Sequence, residues 1–145
     1  MVSMLNRFKK ILVPLDGSPN SIRGLNEAIS LARLGKSQLI AIHVLPIYPK
    51  NLVGMLDSYI RYHNKLVQQF LDNAKTSAAR QGIDLKQQIL FGNDTVKSIT
   101  NYANSCKCNL IVLGSKGKGS PSTKSLGSVS NGIIQSSKIP VMIVK

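Results

Sequence analysis

The chain has 145 residues, enough to bury one sizeable core, and its 43% hydrophobic and 17% charged composition is that of a folded chain rather than a disordered one. Nineteen Lys and Arg against six Asp and Glu give a formal charge of +13, a surface that attracts polyanions and disfavours acidic substrates' opposite, the polycation. All six acids lie before residue 95, so the last third of the chain carries lysines and no carboxylate.

In chain order, "KILVPL" (residues 10–15) reads as a buried strand ending at an Asp16-Gly17 turn. Ser18 is placed to cap a helix with Pro19 at its first position. Ile22, Leu25, Ala28, Ile29 and Ala32 then recur at helical spacing up to Gly35, which should close the helix. "QLIAIHVL" (residues 38–45) is a second strand, and residues 46–54, with two prolines and a glycine, read as a loop. From Met55 to about Gln81 the apolar positions describe a long amphipathic helix stopped by Gly82.

"DLKQQIL" (residues 84–90) is a more polar third strand, suited to a sheet edge. Asp94 should cap a helix running through Val96, Ile99, Ala103 and Cys106. "NLIVLG" (residues 109–114) is a fourth strand, followed by a glycine- and serine-rich loop, a helix from about Gly127 to Ser137 and a last strand, "PVMIVK". Strands that alternate with helices imply an α/β fold with a parallel sheet covered on both faces. No repeat and no linker composition interrupts residues 1–145, so a single domain is expected.

No apolar run approaches a membrane span. The "ILVPL" that follows Arg7, Lys9 and Lys10 is too short for a signal peptide's hydrophobic region, so the expected location is the cytoplasm, with no membrane partner. Cys106 and Cys108 are one residue apart, a spacing that strains a disulfide, and two thiols cannot complete a zinc site, so they read as reduced structural thiols. His43, between Ile42 and Val44, reads as a packed strand residue.

In parallel sheets ligands bind outside the carboxyl ends of the strands, which is where the loop "GSKGKGSPSTKSLGS" (residues 114–128) falls. It is not a Walker A loop, because Gly114 and Gly119 are followed by Ser120-Pro121, and it is not a dinucleotide fingerprint, because Ser122 stands where the third glycine belongs. Its ends still have the parts of an anion site: glycines that admit close approach, a helix start with orphan N–H groups, the Ser128 hydroxyl, and Lys116, Lys118 and Lys124. On these residues alone, a phosphate cradle and a surface turn with a helix cap both remain open. Asp16 is likewise open between a ligand contact and a turn residue supporting the Ser18 cap.

Gly114-x2-Gly117-x9-Gly127-Ser128, with "KKILVPLDGS", "AIHVLP" and "GSVSNGIIQSSKIPVMIVK", resembles the nucleotide-binding subclass of the universal stress proteins over essentially the whole chain. The resemblance implies a three-layer α/β/α fold with a five-stranded parallel sheet of order 3-2-1-4-5, Rossmann-like and similar to the adenine nucleotide alpha hydrolases. It implies an adenine nucleotide, ATP or else AMP or ADP, with any Mg or Mn held by the phosphates. By position, Pro14 and Asp16 would contact adenosine, and Val44 adenine. Gly114, Ser115, Gly117, Gly127, Ser128 and Val129 would hold the phosphates. Relatives dimerise through the last strand, which implies a homodimer through Val141 to Val144.

The chain departs from many relatives at Gly92-Asn93-Asp94, where they have a Gly-x-Pro turn; a slightly altered start of the following helix is expected. Residues 95–145 offer no carboxylate to bind a metal or activate water, and Asp16 is the one acid expected near the site. The expected activity is therefore regulatory nucleotide binding in a stress response, with no catalytic residue assigned and at most weak ATP hydrolysis. Nucleic-acid binding by the basic surface is the alternative. It is disfavoured because the chain has no Trp and no interleaving of aromatic and basic residues.

Overall fold

Five short apolar runs become five parallel strands, with the helices of residues 19–35 and 57–80 packed on one face of the sheet and those of residues 95–105 and 128–136 on the other. The computed structural model describes residues 7–116 and 126–145. Its elements are β1 (Lys10–Pro14), α1 (Pro19–Gly35), β2 (Gln38–Leu45), α2 (Lys50–Val53), α3 (Asp57–Arg80), β3 (Leu85–Phe91), α4 (Thr95–Ser105), β4 (Leu110–Gly114), α5 (Ser128–Ser136) and β5 (Val141–Val144). The sheet order is β3-β2-β1-β4-β5, with every pairing parallel. This is the α/β architecture and strand order expected from the sequence.

Successive strand residues point to opposite faces, which splits the core in two. Ile11, Val13, Leu39, Ala41, Leu45 and Val112 pack with Leu25, Ala28 and Ala32 of α1 and Val67, Leu71, Ala74 and Ala78 of α3. Leu12, Ile40, Ile42, Ile111 and Leu113 pack with Ile99 and Ala103 of α4 and Ile133 of α5. β1 is central and buried on both sides, which is why its sequence is continuously apolar rather than alternating. β3 lies at one edge, as its polarity suggested. Its Gln87 and the Gln68 of α3 both donate to the Asp72 carboxylate at 2.9–3.0 Å, and these two amide donors hold that carboxyl below the usual carboxylate range.

The caps carry the helix boundaries. Ser18 accepts from the Ser21 N–H at 3.2 Å, and Asp94 accepts from the Lys97 N–H at 3.0 Å. Removing such a cap typically costs about 1 kcal/mol. Several boundaries shift by a residue or two from the sequence reading, β3 from 84–90 to Leu85–Phe91 among them. Gly35 is still helical, and Lys36 takes the left-handed position (φ 52°) while the Ser37 N–H closes on the Ala32 carbonyl. The segment read as a loop contains the one-turn helix α2, begun by Pro49, whose carbonyl accepts from Leu52. α3 begins at Asp57 rather than Met55, whose side chain is exposed. At the end of β3, the Gly92 N–H pairs with Leu45 O, and Asn93 accepts from the Ile47 N–H at 2.9 Å.

Among the described residues no helix is long and apolar enough to cross a membrane, and both cysteines are free thiols. Cys106 caps α4, and its carbonyl accepts from the Lys10 ammonium at 2.9 Å. Burial, reinforced by Cys106, pushes the Cys108 thiol up to about 11, and burial with a hydrogen bond to Cys106 pushes the Tyr102 phenol up to about 12.

Two predictions follow from the packing. A Cβ at Gly114 would meet the Asn20 carbonyl and stand 2.9 Å from the Ser21 nitrogen, both backbone atoms of α1. Gly114→Ala should therefore destabilise by ~2 kcal/mol and lower the melting temperature by several degrees. Gly54→Ala, where a Cβ meets nothing within 4 Å, should leave it unchanged. An unfolded chain releases its Cys and Tyr protons near pH ~8.5 and ~10, so above those values the native state holds more protons and stability falls as pH rises. Melting followed from neutral pH to about 11 should show that fall, and Cys108→Val should remove the cysteine's share of it.

Candidate functional site

The strand order places the reversal of winding at β1 and β4: β2 and β3 extend to one side of β1, β4 and β5 to the other. The two chain segments that leave these neighbouring strands lead to helices on opposite faces of the sheet, α1 on one and α5 on the other, the position at which parallel sheets take ligands.

The β1 side is a tightly bonded turn. The Leu15 N–H donates to Ile42 O at 2.8 Å, and the Leu15 carbonyl lies 2.6 Å from His43 Nδ1. Asp16 accepts from the Ser18 N–H at 2.9 Å, so its carboxylate supports the α1 cap. Ser21 closes the turn by donating its hydroxyl to the Ser18 carbonyl at 2.9 Å. Gly17 has φ +80°, and a Cβ there would stand 2.9 Å from the Phe70 ring. Asp16 is half-buried in this turn, and Pro14 pairs with Ile42 at the end of β1.

The β4 side is a clamp. The Gly127 N–H donates to the Ser115 carbonyl, and the Ser130 hydroxyl donates to the Gly114 carbonyl, each at 2.8 Å. The Ser115 N–H donates to Val144 O at 2.8 Å, tying the same corner to β5. Thus Gly114, Ser115, Gly127, Ser128 and Val129 are brought to one corner. α5 starts there on a glycine that supplies no side-chain cap, with no acid in its first turn. The positive end of the helix is consequently neutralised neither by a cap nor by a carboxylate from its own sequence.

The two halves touch. α1 lies against the end of β4 so closely that Gly114 has no room for a side chain beside Asn20, and a Cβ on Gly24 would stand 3.1 Å from the Gly114 nitrogen. Val44 and Val129 both pack on the core face formed with α4 and α5. Gly117, Lys118 and Lys124 lie outside the described residues. Among the described residues no three His, Cys, Asp or Glu side chains are grouped to hold a metal.

The backbone N–H groups of Ser115 and Gly127 are both committed within the protein, so the first-turn donors of α5 without an intrahelical partner belong to Ser128, Val129 and Ser130. Ser130 and His43, which the motif alone does not single out, bond to the backbone carbonyls of Gly114 and Leu15 at these two corners. Ser130 sits two residues past the Gly-Ser pair, one further along the same first helical turn, which is the only signal the sequence carries for it.

The sequence matches the universal stress protein family over residues 7–145. It is 32% identical to the universal stress protein YxiE of Bacillus subtilis over 150 aligned positions, covering 95% of this chain and 99% of that protein. The universal stress protein UspA of Lactobacillus plantarum has the same fold, with a TM-score of 0.87 at 24% identity over 96% of this chain and 99% of that one. A universal stress protein solved in complex with cAMP superposes with a TM-score of 0.72 at 25% identity, over 94% of this chain and 96% of that one. With a match that runs from Arg7 to the last residue, the chain belongs to the universal stress protein family.

Proposed function

We propose that this protein binds an adenine nucleotide in the crevice between the β1 and β4 ends and acts as a regulatory binding protein in a stress response. The observation that carries the reading is the clamp at Gly114–Ser115 and Gly127–Ser130, which holds an uncapped helix start over the switch point of the sheet. A relative of the same fold with cAMP bound supports the ligand class.

In this reading Pro14 and Asp16 face the adenosine and Val44 the adenine. The N–H groups of Ser128 and Val129, with the Ser128 hydroxyl, bind the phosphates. Gly114, Ser115 and Gly127 shape the cradle, their own backbone groups being used to build it, and Gly117 belongs to the same loop. ATP is the proposed ligand, with AMP and ADP as the alternatives, since each added phosphate gains from a chain of charge +13. Mg or Mn would be held by phosphate oxygens and water. Hydrolysis is at most slow, and the protein works in the cytoplasm as one domain over residues 1–145.

The chain is also proposed to form a homodimer through β5. Val141 to Val144 form an apolar edge strand whose side chains are only half-buried, and such an edge pairs readily.

Two outcomes are expected. Mass spectrometry of the purified protein, before and after incubation with ATP, should find an adenine nucleotide. Gly127→Glu, which sets a carboxylate at the buried α5 start, should weaken uptake by ~100-fold while the circular dichroism spectrum stays native. Equal uptake by the variant would remove α5 from the site. Light scattering at tens of micromolar protein should give twice the 15.8 kDa chain mass, and a 15.8 kDa species would refute the dimer.

A further inference from the structure

We propose that His43 is a positioning residue for Asp16: its Nδ1–H holds the Leu15–Asp16 peptide plane in the orientation that presents the Asp16 carboxylate to the crevice. The inference rests on the nucleotide-binding reading for its consequence, though not for its geometry.

His43 lies near the carboxyl end of β2, on the face that packs against α3, and is half-buried. Its Nδ1 is 2.6 Å from the Leu15 carbonyl. A carbonyl can only accept, so Nδ1 carries the proton of this bond in the neutral ring as in the imidazolium. The bond falls at the residue where β1 leaves the sheet and turns toward α1. The Leu15 carbonyl and the Asp16 N–H belong to one rigid peptide unit. Gripping the carbonyl therefore sets the direction of the Asp16 N–H, which points to Ser21 Oγ at 3.5 Å, too long to orient the plane by itself.

The ring that does the gripping is itself held. Phe70 meets it edge to face, with centroids 5.2 Å apart at 82°. His63 lies 6.4 Å away at 60°, and Tyr59 stacks on His63 at 6.0 Å and 3°. Phe70 also bears the other side of the same turn, because Gly17 rests directly on its ring. The turn around Asp16 is thus fastened on both sides of that residue to one aromatic group on α3 and β2. Among the described ring contacts, the titratable group beside His43 is His63 of α3, with Tyr59 stacked on His63 beyond it. Because Nδ1–H persists when the ring is protonated, acidification leaves the brace in place.

The experiment compares wild type with His43→Asn, whose side-chain amide can donate from nearly the position of Nδ1, and His43→Phe, which keeps the aromatic contact and loses the donor. Asn should bind ATP within about threefold of wild type, whereas Phe should bind about tenfold more weakly. Nitrogen NMR of the wild type at pH 8 should find His43 in the Nδ1–H tautomer. The amide resonances of residues 16–18, 20 and 21 should move in the Phe variant and stay near wild type in the Asn variant. Wild-type affinity in His43→Phe, equal losses in both variants, or an Nε2–H tautomer would each overturn the proposal. If wild type takes up no adenine nucleotide, the functional reading fails; the tautomer and the amide shifts still decide the brace, supporting it if they follow the donor and refuting it if they do not.

Discussion

The structure depends on how closely the first turn of α1 can lie against the end of β4. That contact is backbone on backbone: Asn20 and Ser21 against Gly114, with Gly24 one turn on. It exists because β4 returns to the far side of β1 after β2 and β3 have been laid down on the near side. A side chain at either glycine would wedge α1 off the sheet and pull the Asp16 turn away from the β4 corner. α1 therefore lies as close to β4 as the missing Cβ atoms permit, and the glycine that opens the loop motif has a packing reason to be glycine before any ligand is considered.

Around this contact the polar groups are arranged so that few are left to chance. At the α5 start the protein consumes the Gly127 N–H internally and anchors the first turn through the Ser130 hydroxyl, leaving the next N–H groups without an intrahelical partner. An anion arriving there meets a helix end that is neither capped nor screened by its own acids. The absence of carboxylates after Asp94 acts in the same direction, since it keeps the field at this edge positive. Across the crevice Asp16 is the opposite case, a carboxylate fastened by the Ser18 N–H and carried on a turn braced by His43 and Phe70. A site with one end arranged for negative charge and the other bearing a fixed acceptor suits a ligand with phosphates at one end and hydroxyl or amino donors at the other.

Much of the fold was legible in local patterns. Ser18-Pro19 and Asp94 announced helix starts because a capping hydroxyl or carboxylate satisfies N–H groups within its own few residues. The polarity of "DLKQQIL" announced an edge because an edge strand must meet water, and here it meets an Asp72 network as well. Lys36 was not legible as the left-handed residue, with Gly35 beside it as the better local candidate. The termination is set by where the Ser37 N–H can reach Ala32, not by which residue tolerates the turn most cheaply. The single turn of α2 was hidden for a related reason: a four-residue helix has no periodicity to read.

By itself the sequence determined the α/β class, the order and approximate limits of the strands, and the ends of the loop that carries Gly114 and Gly127-Ser128. These are properties of neighbours along the chain, and caps, turns and alternating apolar runs express them within a few residues. Only the tertiary structure decided which hydrogen-bonding groups remain for a ligand. Ser115 spends its N–H on Val144, Gly127 spends its own on Ser115, and Leu15 is held by a histidine 28 residues away. Such bonds join segments distant in sequence, and each donor can be used once, so the accounting closes only when the chain has folded.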